Sequence, residues 1–230
     1  MDWTYSGSGI DVDPMFGSTH EKVFAYLGAC GTWWTGEQRV EMVEQTRAAA
    51  ECALCKARRE ALSPNSVEGE HEAIGNLPAA AVEAVHRIAT DPGRLTRAWA
   101  DEVMGEIGAG PYVEIAALVS TQFAIDGFAT AIGVEVAPLP NAGRGEPSRL
   151  TPDGVGDVGA WVAQTVDKTL ANVTRAASLV PAENDNWRIV ATWHYSRGPE
   201  FMSLEWDRAL SRPQVETVAA VVSSLNECFY

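Results

Sequence analysis

The sequence predicts an all-α protein. Three observations carry this. Runs of good helix formers recur between proline- and glycine-rich breaks. The most apolar segment, 111–132, is long enough for several helical turns and is apolar on more than one face. Strand-like alternation is short wherever it occurs, and no pair of such runs is joined by an Asn-Gly or Asp-Gly turn.

Taken in order, residues 1–19 are rich in Gly, Ser, Asp and Pro and read as an irregular arm, with helix credible over 21–29. Residues 36–62 form an uninterrupted run of helix formers that stops at Ser63-Pro64-Asn65. Pro78 suits the first turn of a helix that runs to Thr90 and ends before Asp91-Pro92-Gly93. The next helix spans 94–107 and is closed by Gly108 and Gly110. In 111–132, Ile115, Leu118, Val119, Phe123, Ile125, Phe128 and Ile132 cover several faces and place this helix in the core. Residues 134–158 are dense in proline and glycine and read as a linker or surface loop. Helical segments resume over 166–177, 183–195 and from 211 onward.

The composition narrows function. With 46% apolar and 21% charged residues, the 230-residue chain can bury a core. Its formal charge of −14 opposes nucleic-acid binding, because phosphates would be repelled, and argues against docking on an anionic membrane. The N-terminus shows no basic segment followed by an apolar stretch. No run approaches the ~18 apolar residues of a membrane span. A soluble, cytoplasmic protein is expected. Four cysteines, Cys30, Cys52, Cys55 and Cys228, are too few for a disulfide scaffold. Clustered as Cys52-Ala53-Leu54-Cys55, they point to redox chemistry or metal.

Two segments resemble each other. Arg39-Val40-Glu41-Met42-Val43-Glu44 leads to Glu51-Cys52, and Gln214-Val215-Glu216-Thr217-Val218-Ala219 leads to Glu227-Cys228. Ten residues separate Glu41 from Cys52 and eleven separate Glu216 from Cys228. A glutamate, eleven residues and then Cys-x-x-Cys-x-x-x-His is the signature of the alkylhydroperoxidase/carboxymuconolactone decarboxylase family. The stretch from Glu216 to Cys228 is similar to its first part. The stretches 85–95 and 159–162 resemble a two-copy branch of that family that includes selenoproteins.

The resemblance implies an alkylhydroperoxidase-like helical bundle with an internal repeat of the redox helix. Its first copy would be 1–133, its linker 134–165, and its second copy 166–230, incomplete at the C-terminus. It implies a thiol- or selenol-dependent hydroperoxide reductase. The partners would be a hydroperoxide substrate and a dithiol or lipoyl-type reductant, in a homo-oligomer, with no cofactor, nucleic acid or membrane. By the family pattern, Cys55 attacks and Cys52 resolves in the first copy, with Glu41 as relay carboxylate. In the second copy, Glu216 relays and Cys228 resolves, and the attacking residue falls at position 231. That position is expected to be selenocysteine, so a chain ending at Tyr230 would be crippled at its second site. The family's histidine is replaced by Arg59, which can stabilise a thiolate but does not relay a proton. The one-residue shift of Glu41 rotates it by ~100° on a helix.

The chemistry asks for these residue types. A thiolate attacks the O–O bond, and a second thiol captures the resulting sulfenic acid as a disulfide. A His or Glu nearby moves the proton. A zinc site would need two more ligands from Cys30, Cys228 or the histidines. No second Cys-x-x-Cys and no paired histidine spacing is present, so the redox reading is preferred. His86 and His194 read as isolated packing or surface residues, and Asp126, within the apolar helix, as structural. Trp33, Trp34, Trp99, Trp161, Trp187, Trp193 and Trp206 read as core or subunit-contact residues. The alternatives are a lactone decarboxylase-like lyase, which needs no cysteine pair, and a non-catalytic oligomeric protein of the same fold.

Overall fold

The computed structural model describes residues 2–195, 203, 205, 206 and 208–225. The chain is all-α. Its helices are α1 (Pro14–Leu27), α2 (Gly36–Ala48), α3 (Ala53–Glu60), α4 (Ala79–Thr90), α5 (Arg97–Ile107), α6 (Ala109–Ala131), α7 (Asn172–Arg175), α8 (Pro181–His194) and α9 (Arg212–Leu225). Strand among the described residues is confined to a two-residue antiparallel pair, β1 (Val155–Gly156) with β2 (Gln164–Thr165). No helix among the described residues is long and apolar enough to cross a membrane.

The helix boundaries follow local chemistry. Asp13 caps α1 by accepting from the Met15 amide, with Pro14 at the first helical position. Thr35 and Gln38 form a reciprocal capping box at the start of α2. Thr96 accepts from the Trp99 amide to start α5. Between α5 and α6 the chain turns at Gly108, whose φ of 92° lies where a Cβ would be strained.

α6 is the central element. It packs against α4, α5, α2, α1 and α8 and buries Val113, Ile115, Leu118, Val119 and Ile125. Phe123 is an exception to the expected core face: it is about half exposed. Asp126 is structural, as read, because Arg47 on α2 donates to both of its oxygens at 2.8 and 2.9 Å.

The uninterrupted helix expected over 36–62 is two helices. α2 ends at Ala48 and the chain turns through 49–52. Cys52, in an extended conformation (ψ 127°), then becomes the N-cap of α3. Alanine-rich sequence favours helix by only tenths of a kcal/mol per residue, so tertiary packing overrides it here. The turn swings the cysteines back toward α4. Helix expected over 166–177 reduces to α7, and the rest of that stretch is irregular. Part of the segment read as a linker is pinned over the α1–α2 turn. The Gly143 amide donates to the Gly28 carbonyl and the Arg149 amide to the Thr32 carbonyl, both at 2.8 Å.

A buried ion cluster locks α1, α2, α6 and α8 together. The Arg39 guanidinium donates to Glu114 and Glu183, each at 2.6 Å, and to the Leu27 and Tyr26 carbonyls. Tyr26 donates to Glu183 and the Trp33 amide to Glu114, so both buried carboxylates have further donors. α9 contrasts with α2. It buries none of its residues, and Val218 is 56% exposed where Val43 is fully buried, so the two similar segments occupy different packing environments.

Candidate active site

Cys52 and Cys55 are buried, each 3% exposed, at the start of α3. The turn that ends α2 brings them against two histidines. Cys55 Sγ lies 3.3 Å from His86 Nδ1 on α4. His71, in the irregular segment before α4, places Nδ1 3.4 Å from Cys52 Sγ and 3.6 Å from Cys55 Sγ. The imidazole rings lie side by side, 4.3 Å between centroids.

Each ring is oriented by a partner on its far side. Gln45 donates its amide NH2 to the Ile74 carbonyl at 3.1 Å, which turns its oxygen to His86 Nε2 at 2.7 Å. His86 therefore carries its proton on Nε2 and aims the Nδ1 lone pair at Cys55. Glu83 sits one turn before His86 on α4 and accepts from His71 Nε2 at 2.7 Å. The carboxylate is held in turn by Arg58 at 2.8 and 3.0 Å and by the Trp99 indole at 2.9 Å.

The electrostatics follow from these contacts. Burial opposes ionisation of Cys52. The Cys55 and Glu72 amides and the His71 ring outweigh it and bring the thiol down to about 7. Burial likewise disfavours an imidazolium at His71, but its acceptors Cys55, Glu83 and Cys52 raise it to about 10. Burial, then the neighbouring His71 charge, hold His86 neutral, down at about 4. Burial works against the Glu83 carboxylate too, but His71, Arg58 and Trp99 keep it ionised, near 2. An open groove of about 850 Å³ runs along this side and is lined by His71, Glu83, Arg58, Arg87 and Trp99 among others.

The cysteine pair expected from sequence is thus brought together with acid–base groups, but not with those the family pattern supplies. Glu41 spends its carboxylate on the Asn76 amide at 2.9 Å, and among the described residues no hydrogen bond joins it to either thiol. Arg59 is exposed, and Arg58 is the cation that reaches the site. Glu216 accepts from the Tyr195 hydroxyl at 2.7 Å, away from Cys52 and Cys55. Cys228 lies outside the described residues. His86 is not an isolated packing residue, and neither is His194, whose Nε2 meets that of His20 at 2.7 Å. Cys52, Cys55, His71 and His86 hold their ligand atoms within 4.8 Å of one another, the arrangement a metal would need and the one that sequence spacing argued against.

His71, Glu83, Gln45 and Arg58 were missed by sequence reading. His71 falls in Glu68-Gly69-Glu70-His71-Glu72, which looks like a solvated loop. The one available signal was Glu83 three residues before His86, on one helix face. No protein-family model, curated protein or solved structure matches the chain.

Proposed function

We propose that the chain is a dithiol oxidoreductase that reduces hydroperoxides through Cys52 and Cys55. The observation that carries this reading is the convergence of both sulfurs on His71 Nδ1, with Glu83 behind that ring. One thiolate attacks the peroxide O–O bond, forming a sulfenic acid and expelling an alkoxide that His71 protonates. The second thiol then condenses with the sulfenic acid, releasing water and forming the Cys52–Cys55 disulfide. A dithiol or lipoyl-type reductant returns the pair to thiols. The family resemblance assigns attack to Cys55. The position of Cys52 at the N-cap of α3 favours Cys52, because helix-terminal amides stabilise a thiolate there. Glu41 has no part in this scheme, and His71 with Glu83 takes the relay role.

The test is hydroperoxide consumption by the reduced, chelator-treated chain with excess dithiol. Cys52→Ser and Cys55→Ser should each abolish dithiol-dependent turnover. Unchanged turnover in either variant contradicts the reading. Which variant still forms a sulfenic acid, trapped by dimedone, identifies the attacking sulfur.

A further inference from the structure

The four side chains of this cluster also meet the demands of a tetrahedral metal. Zinc holds sulfur at about 2.3 Å and imidazole nitrogen at about 2.0–2.1 Å, which sets the sulfur–nitrogen edge of a tetrahedron near 3.5 Å. Three of the four sulfur–nitrogen separations are 3.4, 3.6 and 3.3 Å, and all four ligand atoms lie within 4.8 Å of one another. Both rings present Nδ1 to the sulfurs and tie Nε2 to an acceptor, Glu83 for His71 and Gln45 for His86. A carboxylate or amide oxygen behind a ligating histidine fixes the ring and makes it a better donor. Charge also fits: two thiolates balance a divalent cation, and with neutral imidazoles the buried centre carries no net charge. We propose that Cys52, Cys55, His71 and His86 bind one zinc ion in the reduced chain.

With four protein ligands the site is closed, so zinc there holds the thiolates rather than polarising a substrate. Metal and disulfide are then alternative states of the same sulfurs. This second step rests on the dithiol function proposed above. A hydroperoxide takes two electrons from the two thiolates. The S–S bond forms and the O–O bond breaks. Two protons from solvent complete the alcohol and water, and Zn²⁺ leaves.

The reduced full-length chain, stripped by chelator, is titrated with Co²⁺ and then Zn²⁺. One equivalent of Co²⁺ should give the visible and near-ultraviolet bands of a tetrahedral thiolate–imidazole site, and Zn²⁺ should displace it. Glu83→Gln should weaken zinc by about 10–100-fold, and Cys52→Ser and His86→Gln by more. Circular dichroism checks that the variants are folded, with Cys55→Ser and His71→Gln replacing any that is not. Lack of the Co²⁺ spectrum in the unmodified chain, or equal zinc affinity in folded ligand variants, overturns the proposal. Adding hydroperoxide to the zinc-loaded chain should release one zinc per disulfide formed. Stoichiometric binding with no release upholds the metal site and contradicts its exchange with the disulfide, while loss of peroxide turnover in the metal-free chain is what contradicts the dithiol function.

Discussion

At the residue scale, the chemistry belongs to pairs rather than single groups. Cys52 and Cys55 are unremarkable buried thiols until His71 and His86 are placed beside them, and each histidine is set by a partner of its own. His71 contributes through two atoms: Nδ1 toward the sulfurs and Nε2 toward Glu83. His71→Gln keeps much of the volume and removes the proton relay. Its dithiol-dependent peroxidase rate should fall by about 10²-fold, the usual contribution of a positioned acid, while its melting temperature changes little. A steady-state assay beside a thermal melt checks this, and an unchanged rate would assign the relay elsewhere. The cysteine pair was legible from sequence because Cys-x-x-Cys is a local motif. The histidines were not, because they meet the sulfurs only through the tertiary fold, from an irregular segment and from α4. Glu41 and Arg59 were chosen by their spacing to the cysteines in the family pattern. The turn at 49–52 separates Glu41 from the cysteine helix, and Arg59, on α3 with Cys55, faces solvent.

At the scale of elements, most helices were visible as helix-forming runs between Pro and Gly breaks, and Pro78, Gly108 and Asp91 mark real ends. The α2–α3 break was invisible because Ala48, Ala49 and Ala50 favour continuing the helix, and only packing against α4 rewards the turn. α2 also carries Arg39, whose burial no amphipathic pattern announces. Arg39 compensates Glu114 and Glu183 at zero exposure. Arg39→Met would leave two carboxylates facing each other without a cation, and denaturant unfolding should show a loss of about 3–5 kcal/mol. A loss below about 1 kcal/mol would mean that the cluster relaxes or protonates at little cost.

At the scale of the whole molecule, the all-α class was legible and the long-range joins were not. α8, far along the chain, packs on α1 and α6 and completes the core begun by the first helices. One join is pH-sensitive. Tyr5 OH hydrogen-bonds with His20 Nδ1 at 2.6 Å, and His20 Nε2 meets His194 Nε2 at 2.7 Å, enclosed by Phe16 and Phe128. Burial, and next the charge on His194, hold His20 down at about 4, and burial lowers His194 as well. The unfolded chain takes up a proton near 6.5, so between there and about 4 it binds protons that the folded chain refuses. The contribution is complete above about pH 6.5 and is lost as pH falls. By pH 5, His20 alone should cost about 2 kcal/mol. Chemical denaturation at pH 7 and pH 5 should show that loss, and His20→Gln should shrink the difference by about 2 kcal/mol, leaving what the lowered His86 contributes. Equal pH dependence in the variant would place the acid sensitivity elsewhere, and His194, which burial also lowers, would be the next group to test.

The proposed function makes Cys52 and Cys55 one redox pair. Mass spectrometry of the chelator-treated chain after one equivalent of hydroperoxide measures it most directly, with remaining thiols blocked by alkylation before digestion. A redox pair yields a single peptide containing both residues, lacking two hydrogens and resistant to alkylation until reduced. Two alkylated thiols after peroxide has been consumed, or oxidation confined to Cys30, would contradict it.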